Sequence, residues 1–189
     1  MIKPVNIHHI RNLNALGLVA ISLTLAYAFF DQLLYGELPC PLCLLQRLGF
    51  AAVCIGLILN LTVGPRPAHY GFSIIAAVAG GAFALRQISL HVIPGTPGYG
   101  APFLGFHFYT WAFMLFAIIV TGLAVLSSLP AQYEAPRGDS SWQALPGFSK
   151  IAVASALLLI ALNAVAALAL CGPGVCPDDP VGYWLGGAQ

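Results

Sequence analysis

Charged side chains are scarce in this chain. Its 189 residues include seven Lys and Arg and six Asp and Glu, so 7% are charged, against about 25% in a typical soluble domain. A net charge of +1 leaves no basic surface for nucleic acid, and no nucleic-acid-binding motif is present. Hydrophobic residues make up 59% of the chain and the mean hydropathy is +0.88. This composition indicates an integral membrane protein.

Five long apolar runs predict five transmembrane helices, each near the length that crosses a bilayer. They cover residues 13–34, 42–63, 68–92, 106–129 and 151–170. The sequence therefore predicts an all-α, polytopic membrane helical bundle in one membrane domain, followed by a tail at residues 171–189. The polar, basic start has no small-residue cleavage site after the first run, which predicts a retained signal-anchor helix.

The basic residues predict the orientation of the bundle. The segments 35–40, 93–105 and 171–189 contain no Lys or Arg. Basic residues concentrate on the cytoplasmic side of membrane proteins. We therefore expect a cytoplasmic N-terminus and a C-terminus on the opposite, periplasmic side. The basic residues that share the cytoplasmic side are Lys3, Arg11, Arg66, Arg137 and Lys150.

One stretch carries chemistry: residues 39–47 read Pro-Cys-Pro-Leu-Cys-Leu-Leu-Gln-Arg. Pro41 suits the first helical position, so Cys40 and Cys43 fall at a helix N-terminus, where a thiolate is favoured. Arg47 is four residues after Cys43 and shares its helix face. A charge this near the bilayer needs an anionic or polar partner, such as a thiolate or a ligand oxygen. The pattern predicts a redox-active pair; the alternative is two buried, inert cysteines.

A second pair, Cys171 and Cys176, follows the last apolar run, and Cys54 stands alone. Five spans return the tail to the same side as Cys40 and Cys43, where two dithiol pairs could exchange. The turn at 172–174 could close a small disulfide ring. Two other possibilities remain open: a purely structural disulfide, or a zinc site made by all four cysteines.

The motif at the start of a second membrane helix resembles the signature of the DsbB family. These are bacterial inner-membrane thiol oxidases that pass electrons from a periplasmic DsbA-like protein to a quinone. The likeness covers roughly the first 130 residues and includes Arg86 in the third helix and the Gly-Tyr-Gly-Ala-Pro loop at 98–102. It implies a four-helix DsbB-like core, to which this chain adds a fifth transmembrane helix.

The resemblance implies a role for each cysteine. Cys40 and Cys43 would be the catalytic, quinone-linked pair, with Cys43 beside the quinone and Arg47 stabilising charge there. The family usually carries its second pair between helices three and four, but residues 93–105 contain no cysteine. We hypothesise that Cys171 and Cys176 replace that pair as catalytic residues.

The resemblance also implies a cofactor and partners. The cofactor would be ubiquinone or menaquinone, bound by Cys43 and Arg47 with Arg86, His91 and His107 as further candidates. The partners would be membrane lipid and a periplasmic DsbA-like thioredoxin-fold protein. No metal and no nucleic acid are expected. Two alternatives are a noncatalytic membrane scaffold with structural disulfides and a vitamin K epoxide reductase-like protein, in which the CxxC motif typically opens a later helix.

Overall fold

The computed structural model describes residues 7–133 and 142–187. Lys3 and Arg137 lie outside the described residues. Each of the five long helices is long and apolar enough to cross a membrane, which confirms the all-α, polytopic bundle. The first helix begins before the predicted start at residue 13, and the fourth is shorter than predicted at both ends. The helices are α1 Ile7–Leu34, α2 Pro41–Thr62, α3 Pro67–His91, α4 Phe108–Ser127 and α5 Gly147–Cys171.

Prolines and a glycine set several helix ends. Pro41 and Pro67 occupy the first positions of α2 and α3, where a missing N–H costs no hydrogen bond. Gly172 ends α5 with a φ of 62°, which favours glycine. A Cβ at Gly172 would also collide with the indole of Trp184. The position therefore requires glycine both for its backbone angle and for the ring packed on it.

The helices pack in the order α5, α1, α2, α3, α4. Between α2 and α3 the backbones come close, since a Cβ built on Gly49 would lie 3.0 Å from the Cα of Gly80. Small residues allow such close packing in membrane bundles. The ring of Phe116 from α4 fills the adjacent space and stacks on Phe50 of α2 with centroids 4.0 Å apart. Helices α1 and α4 do not pack closely against each other.

The two ends of the bundle differ in chemistry. One end, called the basic end below, holds the start of α1, the α2–α3 turn and the described residues between α4 and α5, 128–133 and 142–146. There, Nδ2 of Asn14 donates to the Tyr70 hydroxyl at 2.8 Å, and that hydroxyl donates to Oε1 of Gln132 at 2.9 Å. Nδ2 of Asn60 donates to Oδ1 of Asn14 at 3.2 Å. This buried network ties α1, α2 and α3 to the segment after α4. The other end, called the cysteine end, comprises residues 35–40, 92–107 and 172–187.

Candidate functional site

The site begins with two cysteine thiols at the start of α2. Sγ of Cys40 and Sγ of Cys43 lie 2.7 Å apart. The backbone N–H of Cys43 donates to Sγ of Cys40 at 3.3 Å, so Cys40 caps the helix with its own sulfur. The two sulfurs are held together by the local helix geometry, with no need for a distant element. Oxidation to a disulfide would require only a small movement.

Cys40 is the more protected of the two thiols, with 6% of its surface exposed. Its hydrogen bond to Cys43, followed by burial, raises the pKa of Cys40 above its ordinary value. The helix N-terminus alone would lower the pKa of a thiol, so at Cys40 the hydrogen bond and burial outweigh the helix end. Cys40 therefore holds its proton more firmly than an ordinary thiol does.

A cavity of about 420 Å³ lies beside Cys43. It is bounded by α1 on one side and α4 on the other, with α2 and α3 behind. At the cysteine end, Tyr27 of α1 meets Phe108 of α4 edge to face, with centroids 5.5 Å apart. Leu23, also in the lining, is 64% exposed on the outer surface of the bundle, so the cavity reaches the outside between α1 and α4. Its aromatic walls are Tyr27, Phe50, Tyr99, Phe103, Phe108, Tyr109 and Trp111.

Arg47 lines the same cavity, one helical turn below Cys43. Its Nη1 donates to Oε1 of Gln32 at 2.7 Å, and its Nη2 donates to the carbonyl oxygen of Ala28 at 2.8 Å. Both acceptors belong to α1. A guanidinium carries five N–H donors, so these two bonds fix its position and leave donors for an occupant of the cavity.

Gln87 of α3 connects the two sulfurs to the rest of the bundle. Its Nε2 lies 3.3 Å from Sγ of Cys40 and 3.4 Å from Sγ of Cys43, within donating distance of both. Its Oε1 accepts from Nε2 of Gln46 at 2.7 Å. Gln87 is 1% exposed, and Gln46 holds its amide with the nitrogen toward the sulfurs. The arrangement offers a neutral donor to a thiolate on either cysteine.

The α3–α4 loop covers Cys40. The Tyr99 hydroxyl donates to the carbonyl oxygen of Leu38 at 2.7 Å, and burial raises the pKa of Tyr99, which keeps it protonated for that role. The backbone N–H of Ala101 donates to both carboxylate oxygens of Glu37 at 3.2 Å. These bonds fasten the loop to the turn that precedes Cys40. A thiol from outside reaches Cys40 only when this cover moves.

Cys171 and Cys176 form a disulfide just after α5. Neither lines the cavity, and within residues 7–133 and 142–187 no hydrogen bond joins them to Cys40 or Cys43. Because their sulfurs are bonded to each other, they are not available for the four-cysteine zinc site considered from the sequence. The residues after them do reach the site: the hydroxyl of Tyr183 accepts from Nε2 of Gln32 at 3.0 Å.

The three other predicted cofactor residues lie outside the cavity lining. Arg86 is exposed on α3. The rings of His91 and His107 both stack on the ring of Tyr109, a residue of the cavity wall, with centroids 5.4 and 5.3 Å away. Their Nδ1 atoms bond to the carbonyl oxygens of Pro97 and Gly100. They are therefore placed to support the wall rather than to form it.

The sequence reasoning missed the glutamines. Gln32, Gln46 and Gln87 each lie within a helix that is otherwise apolar. A polar side chain inside a membrane span is itself a hint of packing or function. That signal was present, but the sequence does not show which helices bring the three amides to one place.

The fold and the site define a class of protein: a polytopic helical membrane protein with a CxxC pair beside an apolar cavity. Residues 10–99 of the chain match the model of the DsbB family, described as Disulfide bond formation protein DsbB. This match includes Cys40, Cys43, Arg47 and Gln87 and ends before α4, α5 and the tail disulfide.

Individual relatives agree with the family match. The chain is similar to Disulfide bond formation protein B of Xanthomonas axonopodis pv. citri, with 42% identity over 84 residues, covering 42% of this chain and 49% of the relative. The same-named protein of Chromobacterium violaceum is 35% identical over 97 residues, 46% of this chain and 57% of that one. The chain spans about half the length of these relatives. No solved structure matches the chain.

Proposed function

We propose that this chain is a membrane protein-dithiol:quinone oxidoreductase that reoxidises a periplasmic DsbA-like thioredoxin-fold protein. One observation carries the proposal: Cys43 and Arg47 line the same cavity, and the sulfur of Cys40 lies 2.7 Å from that of Cys43. A sulfur pair that can open and close beside a fixed positive charge is suited to passing electrons to an acceptor that gains negative charge. The names of the relatives, Disulfide bond formation protein B, support the same direction of chemistry.

The cavity lining fits a quinone. Flat aromatic walls and aliphatic residues suit a ring and an apolar chain, and ligand sites commonly combine such walls with a few polar groups. Here the polar groups are the donors of Arg47 and the thiol of Cys43. When bound, a quinone supplies an acceptor for two electrons and two protons. Ubiquinone and menaquinone share these features, so the proposal covers both.

The proposed route for electrons uses two thiol–disulfide exchanges. A thiolate of the reduced partner attacks the Cys171–Cys176 disulfide, which forms a mixed disulfide and releases one tail cysteine as a thiolate. The partner's second thiolate then attacks the mixed disulfide and releases the other tail cysteine. The partner leaves oxidised and the tail becomes a dithiol. The tail dithiol reduces a Cys40–Cys43 disulfide through Cys40 in the same way. Each exchange breaks one S–S bond and forms another, so two electrons arrive at Cys43, which faces the cavity.

This route requires motion at the cysteine end. Cys40 is buried beneath the loop that Tyr99 and Glu37 fasten, and the tail disulfide does not bond to it in the described structure. The exchange therefore includes release of the loop and a swing of the tail toward Cys40. We also propose that this end faces the periplasm, because the basic end carries Arg11, Arg66 and Lys150.

The test is a dithiol-to-quinone assay on the purified protein together with extraction of any bound quinone. We expect co-purified quinone and catalysed quinone reduction by a reduced DsbA-like protein. Cys43→Ser should abolish turnover, whereas Cys54→Ala should leave it unchanged, because Cys54 is fully buried in α2 away from the cavity. A wild-type protein with no quinone and no turnover would instead favour the scaffold alternative.

The tail has its own test within the same assay. Cys171→Ala/Cys176→Ala should lose oxidation of the protein partner but retain quinone reduction by a small dithiol, which can reach Cys40 without the tail once the covering loop moves. Full activity with the protein partner in this variant would show that the tail disulfide is only structural.

A further inference from the structure

The tail after the second disulfide folds back onto the first helix. Tyr183 reaches Gln32, which lies near the end of α1 and is 2% exposed. The next residue, Trp184, packs on Gly172 at a spot where any larger residue would collide with the indole. Close to that glycine, the Cys171–Cys176 bond closes the chain into a short ring. The hydroxyl of Tyr183 is thus delivered to α1 by a braced segment.

The side-chain amide of Gln32, which has a donor nitrogen and an acceptor oxygen, links this hydroxyl to the cavity. Its Nε2 donates to Tyr183 at 3.0 Å, and its Oε1 accepts from Nη1 of Arg47 at 2.7 Å. A guanidinium has no acceptor, so only the oxygen end of the amide can face Arg47. The nitrogen end must then find an acceptor of its own on the other side, and Tyr183 supplies it.

We infer that Tyr183 is a positioning residue for the cavity, acting through Gln32 on the guanidinium of Arg47. This inference rests on the proposed function, because it takes the ligand oriented by Arg47 to be a quinone. Without the hydroxyl, the buried Nε2 of Gln32 has no acceptor among its described contacts, and an unsatisfied buried donor is costly. The amide then turns toward another acceptor, and Arg47 loses one of the two bonds that direct it. The expected consequence is weaker binding of the ligand at the cavity.

The tail lies outside the matched residues 10–99, so this contact is a property of the added fifth helix and tail.

The experiment measures quinone affinity with the full-length protein in lipid nanodiscs. A short-chain ubiquinone is titrated, and binding is followed by quenching of tryptophan fluorescence, since Trp111 lines the cavity. Tyr183→Phe removes only the hydroxyl and should raise the Kd by about fivefold, the size expected for one lost hydrogen bond. Tyr133→Phe is the matched control: its hydroxyl donates to the carbonyl oxygen of Ser127 at 2.7 Å, at the basic end. It should leave the Kd unchanged.

A second variant shows whether the effect runs through Gln32. In Gln32→Leu the side chain has neither an acceptor for Arg47 nor a donor for the tyrosine, so adding Tyr183→Phe should change the Kd no further. An equal rise in both backgrounds would mean that the hydroxyl does not act through Gln32, and would overturn the inference. A Tyr183→Phe protein that binds as tightly as wild type would also overturn it, with the proposed function intact. A wild type that binds no quinone would remove the proposed function, and the inference with it.

Discussion

Gln87→Met is the variant that most directly tests how the bundle serves its sulfur pair. Methionine has a similar length and no branching, so it fills the same space in α3 without an N–H donor. In the structure Nε2 of Gln87 lies 3.3 and 3.4 Å from the sulfurs of Cys40 and Cys43. Every proposed exchange at this pair passes through a thiolate, and the variant removes the neutral donor aimed at that charge.

The magnitude follows from the charge on the acceptor. A hydrogen bond to a charged group contributes about 1.5–3 kcal/mol. A barrier raised by about 1.4 kcal/mol slows a step tenfold. We therefore expect Gln87→Met to reduce the rate of quinone reduction by about tenfold to hundredfold. The variant also leaves Nε2 of Gln46 without its acceptor, which should lower stability by about 1–3 kcal/mol.

The assay is single-turnover quinone reduction by a small dithiol, followed in the ultraviolet with the protein in nanodiscs. Ser89→Ala is the control on the same helix, because its exposed hydroxyl bonds only to the carbonyl oxygen of Arg86. Thermal unfolding of each variant separates lost stability from lost rate. If Gln87→Met stays folded and retains a rate within about twofold of wild type, the donor has no role in stabilising a thiolate.

Three further predictions concern the cavity, the first cysteine and the packing of the core. Arg47→Lys keeps the charge, but one ammonium group cannot reproduce the planar set of N–H donors of a guanidinium. The KM for quinone should therefore rise about tenfold, and an unchanged KM would contradict the role given to the guanidinium donors. In the reduced protein, Cys40 should react slowly with a maleimide at neutral pH and faster as the pH rises toward its raised pKa. Mass spectrometry of the labelled peptide measures this rate, and rapid labelling at pH 7 would refute the burial and protonation of Cys40. Gly80→Ala drives a methyl group into the ring of Phe116 and should cost about 1–3 kcal/mol of stability, whereas Gly122→Ala, with open space around it, should leave the melting temperature unchanged.

The sequence was sufficient for the fold class and for the placement of Cys43 and Arg47 on one helix face. Hydropathy locates five helices because a membrane span is a property of one continuous segment. The relation between Cys43 and Arg47 is equally local, since four residues on a helix define a shared face. Cys40 shows the limit of a local rule: the helix end favours a thiolate, but the neighbouring thiol and burial dominate and raise its pKa.

Contacts between distant segments could not be predicted. Gln87 is 44 residues from Cys43 and Tyr183 is 151 residues from Gln32. Whether such residues meet depends on how helices rotate and pack, and close approaches such as that of Gly49 to Gly80 decide it. A lone amide in an apolar span signals only that some partner is needed. The partner's identity comes from the three-dimensional arrangement.

The opening of the cavity between α1 and α4 determines the route by which a ligand enters. A cavity that is reached sideways draws its occupant from the hydrocarbon layer, where partitioning concentrates apolar molecules far above their level in water. Modest intrinsic affinity then suffices for high occupancy, and exchange proceeds by lateral diffusion without a passage through solvent. For the proposed quinone, the lipid would be the reservoir, and the composition of the membrane pool would decide which quinone binds.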